Sequence, residues 1–117
     1  RNNTLIIFTS DNGHSSFHLE RYHAGLRGLK GFMYEGGVRV PCFMQLPGKG
    51  NQKEVTLPAS YVDILPTILD VCDIPVPNGY TIDGKSLKPL MEQDDPDSVN
   101  HRRHKGSYTI IIERLSV

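Results

Sequence analysis

The chain has 117 residues, a formal net charge of zero from 13 basic and 13 acidic side chains, and 38% hydrophobic residues. This length predicts one small domain or a piece of a larger one. The balanced charge argues against nucleic acid or an anionic membrane as a partner, and no apolar run reaches the roughly 18 residues of a membrane-spanning helix. The first residue is Arg1 rather than Met. We therefore expect the sequence to begin inside a longer protein. Nothing in the sequence indicates the oligomeric state.

The first predicted element is a strand over residues 4–9, which read Thr-Leu-Ile-Ile-Phe-Thr. A short continuous apolar run rich in β-branched residues is typical of a strand buried on both faces, as in a parallel sheet. Segment 10–13, Ser-Asp-Asn-Gly, ends the run after six residues. An α/β fold follows from this strand and from the helix predicted below.

A long irregular stretch comes next, over residues 14–37, where glycines and histidines interrupt any apolar periodicity. Irregular stretches of this length are more often functional than mere connections. Residues 38–40 and 42–46 predict two short extended pieces on either side of Pro41. Residues 47–51, Pro-Gly-Lys-Gly-Asn, predict a turn.

Residues 60–72 are predicted to form a helix. Its apolar residues recur at helical spacing on one face, which we expect to be buried. They are Val62, Leu65, Ile68, Leu69 and Cys72. Ser60 and Asp63 match a capping box, which places Pro66 in the first turn; alternatively, Asp63 is the N-cap.

The last third of the chain predicts less structure. Residues 86–91 predict one or two helical turns capped from Asp83, residues 92–105 a charged, solvated segment, and residues 108–113 one more strand. Cys42 and Cys72 both have apolar neighbours in the sequence, which predicts two buried free thiols, with a disulfide as the alternative.

Asp11 and Asn12 are the first candidates for chemistry. They follow directly on the first predicted strand, and ligands of open α/β sheets gather at the carboxyl ends of parallel strands. A carboxylate and an amide carbonyl offer two hard oxygen ligands, which suit Ca²⁺ or Mg²⁺ better than zinc or copper. The alternative is a plain turn, because Asn and Gly both accept a positive φ.

Lys30 is the second candidate. Segment 28–31 reads Gly-Leu-Lys-Gly, and glycines let the backbone approach an anion closely while the ammonium supplies a mobile point charge. The alternative is an exposed lysine on a loop with no binding role.

Taken together and in order, four blocks of the sequence resemble the C-terminal half of the catalytic domain of sulfatases, the arylsulfatase-like members of the alkaline-phosphatase superfamily. The first is Asp-Asn-Gly after the strand, and the second joins Gly-Leu-Lys-Gly to residues 34–41, Tyr-Glu-Gly-Gly-Val-Arg-Val-Pro. The third is residues 61–69, Tyr-Val-Asp-Ile-Leu-Pro-Thr-Ile-Leu, and the fourth residues 82–87, Ile-Asp-Gly-Lys-Ser-Leu. The resemblance covers about residues 4–91.

The resemblance implies a fold, a metal and a set of site residues. The fold would be a fragment of an alkaline-phosphatase-like mixed sheet flanked by helices, with residues 1–91 in the catalytic domain and residues 92–117 forming a charged tail. Asp11 and Asn12 would be metal ligands, usually for Ca²⁺ and possible for Mg²⁺. Lys30 would be the catalytic lysine that contacts the sulfate group, and His14 would face the substrate. Arg39 would be structural and pair with Glu35.

The resemblance also implies what this chain lacks. The Cys/Ser-x-Pro-x-Arg motif that carries the formylglycine nucleophile of sulfatases does not occur in this sequence. We therefore expect formylglycine in a preceding part of the protein, and no activity from this chain alone. The parent protein would be a sulfuric ester hydrolase acting on a small-molecule or glycan sulfate ester, in the periplasm, outside the cell or in the lysosome. A phosphate or phosphonate ester hydrolase of the same superfamily, and a binding module without catalysis, are the alternatives.

Two further patterns are weaker. Residues 79–86 match the P-loop pattern Gly-x-x-x-x-Gly-Lys-Ser, but no buried strand is predicted before them, so a nucleotide site is not expected. His14 and His18, and His101 and His104, have spacings that would suit zinc on a helix, but neither pair falls in a predicted helix.

Overall fold

The computed structural model describes residues 3–15, 22–46, 55–92 and 110–112. These residues form a mixed α/β arrangement, as predicted. The strands are β1 (Ile6–Thr9), β2 (Val40–Gln45), β3 (Val55–Ala59) and β4 (Ile110–Ile112). The helices are α1 (Glu35–Val38), α2 (Ile64–Val71) and α3 (Lys88–Glu92), and a 3-10 turn (Tyr61–Asp63) leads into α2. The described part of the chain holds no helix long and apolar enough to cross a membrane.

The four strands form one mixed sheet in the order β1-β2-β4-β3. β1 runs antiparallel to β2, with Ile6 opposite Gln45 and Thr9 opposite Cys42. β4 lies parallel to β2 and antiparallel to β3. The strand predicted within residues 108–113 is therefore confirmed, and it lies inside the sheet rather than at its edge.

The prediction for β1 is partly wrong. The strand begins at Ile6, two residues later than expected, and its partner is antiparallel rather than parallel. It is also not buried on both faces: Ile6 and Phe8 are 41% and 59% exposed, whereas Ile7 packs against the core. Successive side chains of a strand point to opposite faces. Among the described residues, only the Ile7 face of β1 has a layer against it.

The core lies between the sheet and the segment that leads into α3. Its buried apolar side chains are Val40, Cys42, Val55, Ala59, Leu87 and Leu90. The two extended pieces predicted around Pro41 merge into the single strand β2. Val38 is not extended but ends α1, because the backbone N–H of Val38 donates to the carbonyl of Tyr34 at 3.2 Å.

The helix predicted over residues 60–72 is present, and both of its predicted starts are used. Ser60 is the N-cap of the 3-10 turn, and its backbone N–H donates to the Asp63 carboxylate at 2.8 Å. Asp63 in turn is the N-cap of α2, so Pro66 lies in the first helical turn, where its missing N–H removes no hydrogen bond.

The buried face of this helix is not the predicted apolar one. Val62 and Leu65 are 46% and 55% exposed, and Cys72 is exposed too. The buried side chains are Asp63 and Thr67, which lie against residues 85–87. Their oxygens accept backbone N–H groups of that segment: Asp63 accepts from Lys85 and Thr67 from Leu87, each at 2.8 Å. Leu87 is fully buried, so its N–H would otherwise lack a partner.

The start of α3 also differs from the prediction. Its first residue, Lys88, donates its backbone N–H to the Ser86 hydroxyl at 3.2 Å, so Ser86 caps the helix and Asp83 is exposed. The Ser86 hydroxyl also donates to the Asp70 carboxylate, and Lys88 pairs with Asp70 at 3.3 Å. These contacts, the Ser86 hydrogen bond foremost, lower the pKa of Asp70.

The two cysteines are free, as predicted, but only one is buried. Cys42 is fully buried in β2, and this burial raises the pKa of its thiol. Cys72 is exposed, because it ends the helix on the face that the described chain leaves uncovered. The turn at residues 47–51, the charged segment beyond Glu92, and three of the histidines (His18, His101 and His104) lie outside the described residues.

Candidate functional site

Three segments meet beyond the end of β1, and we call them loop A (residues 10–15), loop B (27–31) and loop C (34–38). Backbone hydrogen bonds join them. In loop A, Gly13 N–H donates to Gly37 of loop C at 3.0 Å, and the His14 carbonyl accepts Lys30 N–H of loop B at 2.8 Å. Gly36 of loop C donates to Arg27 of loop B at 2.7 Å. Segments that are distant in sequence are therefore held in one rigid arrangement.

The glycines of these loops are required by close contact between backbones. A Cβ atom on Gly36 would lie 2.2 Å from the Gly28 carbonyl oxygen, and a Cβ on Gly13 would lie 1.8 Å from the Gly36 carbonyl oxygen. Neither distance is possible for a real side chain. The Gly-Gly pair of loop C is thus explained by packing against loops A and B.

Loop A presents Asp11 and Asn12 from a supported turn. The Ser10 hydroxyl donates to the Asn12 carbonyl at 2.8 Å, and the Tyr61 hydroxyl donates to the Ser10 carbonyl at 2.5 Å. Burial and the nearby charge of Asp11 raise the pKa of Tyr61. Asp11 itself is exposed and Asn12 half-buried, so both are accessible to a ligand. Sequence reasoning did not anticipate the support from Tyr61.

These two side chains alone would supply only part of the ligand set that a metal ion needs. Their oxygens are hard donors of the type that Ca²⁺ and Mg²⁺ prefer. However, Ca²⁺ takes about six to eight oxygen ligands, and no group of three or more His, Cys, Asp or Glu side chains in the described ranges could hold a metal ion. The donor chemistry fits a hard divalent cation, and further ligands would have to come from elsewhere.

Lys30 projects from loop B with its backbone fixed and its side chain exposed. Its N–H is bonded to loop A, and Gly31 after it has a φ of +93°, which favours glycine. Two side-chain contacts involve residues of loop C. Arg39 pairs with Glu35 at 3.1 Å, which confirms the expected pairing, and Arg27 lies 4.0 Å from the ring centroid of Tyr34.

His14 is half-buried in the site. Its Nε2 lies 3.2 Å from the Gly28 carbonyl oxygen, and its ring stacks on that of His23 with centroids 5.5 Å apart. Its Nδ1 is buried without a hydrogen-bond partner among the described residues. His23 was not singled out from the sequence, where only the abundance of histidine and glycine marked this stretch.

All four residues singled out from the sequence line one open pocket of about 720 Å³. They are Asp11, Asn12, His14 and Lys30. Tyr22, His23 and Arg39 also line the pocket. The pocket is thus lined by a carboxylate, an amide, a lysine and two imidazoles, a set of side chains that suits a polar ligand. The individual roles of the four residues stay predictions.

Comparison with known proteins gives a consistent result. Residues 1–74 match the Sulfatase family. Arylsulfatase K of Gallus gallus is 36% identical over 107 residues, covering 92% of this chain and 18% of that protein. Arylsulfatase A of Homo sapiens is 41% identical over 92 residues, with coverages of 75% and 18%. Steryl-sulfatase of Mus musculus is 37% identical over 102 residues, with coverages of 78% and 16%.

The chain therefore spans less than a fifth of the length of these relatives. No solved structure matches it.

Proposed function

Because this chain belongs to the sulfatase family, we propose that the protein containing it hydrolyses sulfate esters. The observation that carries the proposal is the pocket in which loops A and B bring Asp11, Asn12, His14 and Lys30 together. These residues lie up to 19 positions apart in the sequence, and the backbone bond between Lys30 and His14 fixes two of them side by side.

Each residue has a role that its position permits. Asp11 and Asn12 would contribute two oxygen ligands to a bound Ca²⁺, or Mg²⁺, and such a cation stabilises negative charge on the sulfate oxygens. The exposed ammonium of Lys30 would bind a sulfate oxygen and stabilise the charge that develops there in the transition state. His14 would contact the substrate from the pocket wall.

The remaining parts of the site would come from outside these 117 residues. The sequence has no Cys/Ser-x-Pro-x-Arg motif, so the formylglycine nucleophile and the other metal ligands would belong to another part of the protein. Metal and lysine cannot replace a missing nucleophile, and this chain alone is expected to be inactive. By its family, the protein would act in the periplasm, outside the cell or in the lysosome.

A phosphate or phosphonate ester is the second candidate substrate, because an exposed lysine beside two hard oxygen ligands suits any tetrahedral oxyanion. Turnover of 4-nitrophenyl sulfate and 4-nitrophenyl phosphate by the full-length protein separates the two. Faster hydrolysis of the phosphate would overturn the sulfatase proposal. Tight binding of both without turnover would instead indicate a binding module.

The metal assignment is tested by substitution in the full-length protein. We expect Asp11→Ala to abolish both bound Ca²⁺ and activity, and Asn12→Ala to weaken both less, because a charged ligand holds a hard dication more strongly than a neutral amide does. Metal content of the purified variants is measured by mass spectrometry. Full Ca²⁺ occupancy in Asp11→Ala would contradict the assignment.

A further inference from the structure

His14 leaves one ring nitrogen for a ligand, and its protein contacts fix which kind of ligand atom fits. Nε2 faces the Gly28 carbonyl oxygen at 3.2 Å. A carbonyl oxygen can only accept, so Nε2 carries the hydrogen, and in the neutral ring the lone pair is on Nδ1. Nδ1 has no partner among the described residues. Its best partner is therefore a hydrogen-bond donor, whereas a sulfate oxygen carries no hydrogen to donate.

The surroundings of His14 place this acceptor beside the site for the sulfate. The carbonyl of His14 accepts the backbone N–H of Lys30, and both residues line the same pocket. A sulfate ester held at Lys30 thus has the rest of its structure in a pocket whose wall contains an unpartnered acceptor. A buried polar atom without a hydrogen-bond partner is unfavourable, so a ligand hydroxyl that pairs with Nδ1 would be favoured over an apolar group.

The ring of His14 stacks on that of His23, which lies in an exposed turn. Nδ1 is closed off from solvent, so a neighbouring group must shift before a ligand reaches it. His23 is exposed and begins a turn in which Leu26 N–H donates to its carbonyl at 2.9 Å. The two central residues of that turn, Ala24 and Gly25, have φ values of +53° and +70°. A positive φ is uncommon for alanine, and exposed turns of this kind are where local rearrangement requires least free energy.

We propose that His14 Nδ1 is the subsite for the alcohol part of the substrate, and that it selects esters whose alcohol carries further hydroxyl groups, as saccharide sulfates do. The proposal rests on the sulfate ester hydrolase function. It assigns His14 to the leaving group rather than to the sulfate, which is left to Lys30 and the metal.

Two substitutions of His14 separate the roles of its ring nitrogens. The amide of glutamine reaches the position of Nε2 and can keep the hydrogen bond to Gly28, but it leaves no acceptor at Nδ1. Asparagine places an acceptor at the level of Nδ1. Both variants are made in the full-length protein, and kcat/KM is measured on galactose 6-sulfate and on 4-nitrophenyl sulfate, whose alcohol has no hydroxyl donor beyond the ester oxygen.

The subsite predicts a change in the ratio of the two kcat/KM values. We expect His14→Gln to lower kcat/KM for the galactose ester about tenfold and that for the nitrophenyl ester less than threefold, in line with the loss of one hydrogen bond. His14→Asn should restore part of the ratio. Equal losses on both esters, or no loss on either, would overturn the proposal.

Failure of the proposed sulfate ester hydrolysis can be distinguished from failure of the His14 subsite. If the full-length wild-type protein hydrolyses neither ester, the proposed function fails, and calorimetric binding of galactose 6-sulfate and phenyl sulfate then decides on the subsite. Tighter binding of the galactose ester that is lost in His14→Gln would support the subsite. Equal affinities of the wild-type protein for the two esters would overturn it.

Discussion

Lys30 combines a fixed backbone with an exposed side chain. Its N–H donates to the His14 carbonyl of loop A, while the residue is exposed and lines the pocket. The backbone bond does not depend on the identity of the side chain, so the position of loop B should survive substitution. The role of the charge can therefore be tested separately from folding.

We expect Lys30→Ala to leave the stability of the full-length protein within roughly 0.5 kcal/mol, as at most exposed positions, and to lower kcat by about 10²–10³, as does loss of a positioned donor to a developing oxyanion. Lys30→Arg should not restore full activity, because a planar guanidinium does not replace a compact ammonium. Thermal melting and kcat/KM on one sulfate ester are measured together. A large fall in Tm with near-normal kcat/KM would show that Lys30 is structural.

At the scale of the elements, the packing of loops A, B and C against one another leaves no space for even one added carbon atom at Gly36. Their backbones approach so closely that Gly36 has no room for a Cβ atom beside Gly28 and Arg27. Backbone hydrogen bonds between the same loops position His14 and Lys30. Disturbing one loop should therefore affect both stability and the pocket.

Gly36→Ala is expected to destabilise the protein by about 2 kcal/mol or more, because the added methyl group overpacks a contact between two backbones. Gly79→Ala is the matched control. Gly79 has a φ of +88° but nothing within 4 Å of an added Cβ, so only the backbone penalty of about 1–2 kcal/mol applies. Urea denaturation gives both free energies of unfolding. Equal values for the two variants would show that the loops separate readily.

The stability of helix α2 and its contact with residues 85–87 can be tested at Thr67. Its hydroxyl donates to the Asp63 carbonyl at 2.5 Å and accepts Leu87 N–H at 2.8 Å. Thr67→Val keeps the shape but leaves that N–H without a partner, which should lower the free energy of unfolding by about 1–3 kcal/mol. Thr81→Val, at an exposed position, should change it by less than roughly 0.5 kcal/mol. An unchanged free energy of unfolding in Thr67→Val would mean that water or a backbone shift supplies the Leu87 N–H with another hydrogen-bond acceptor.

The sequence predicted correctly those features that depend on neighbouring residues, and incorrectly those that depend on contacts with distant segments. The Asp63 cap and the α/β class follow from neighbouring residues, and the structure has both. The prediction of the buried face of α2 is wrong, because residues 85–87 present backbone N–H groups that are paired with oxygen acceptors. Asp63 and Thr67 supply these oxygens and are therefore buried in place of Val62 and Leu65. The pairing of His14 with His23 could not be predicted, since it depends on a turn with positive φ at an alanine.

At the scale of the whole molecule, the two thiols differ in their access to solvent. Cys42 is buried in the core of the sheet, where desolvation raises its pKa, and Cys72 is exposed at the end of α2. In the native protein we expect iodoacetamide to label Cys72 readily and Cys42 at least about 100-fold more slowly, because Cys42 reacts only after the core opens.

Peptide mass spectrometry assigns the modified residue at each time point. In denaturant both thiols should react at similar rates, which serves as the control for intrinsic reactivity. Rapid labelling of Cys42 under native conditions would show that the sheet and α3 do not form the stable core described above.

The position of β4 in the sheet has a consequence for how the protein folds. Val40 of β2 pairs with Ile110, 70 residues later, and β3 pairs with β4 rather than with β2. Pairings of such long sequence separation require the closure of large loops and are associated with slow folding. During synthesis, β2 and β3 would leave the ribosome well before the strand that joins them, with their backbone edges unpaired. Edges of this kind are prone to aggregation, so folding of this region should be sensitive to chaperones and to any truncation before residue 110.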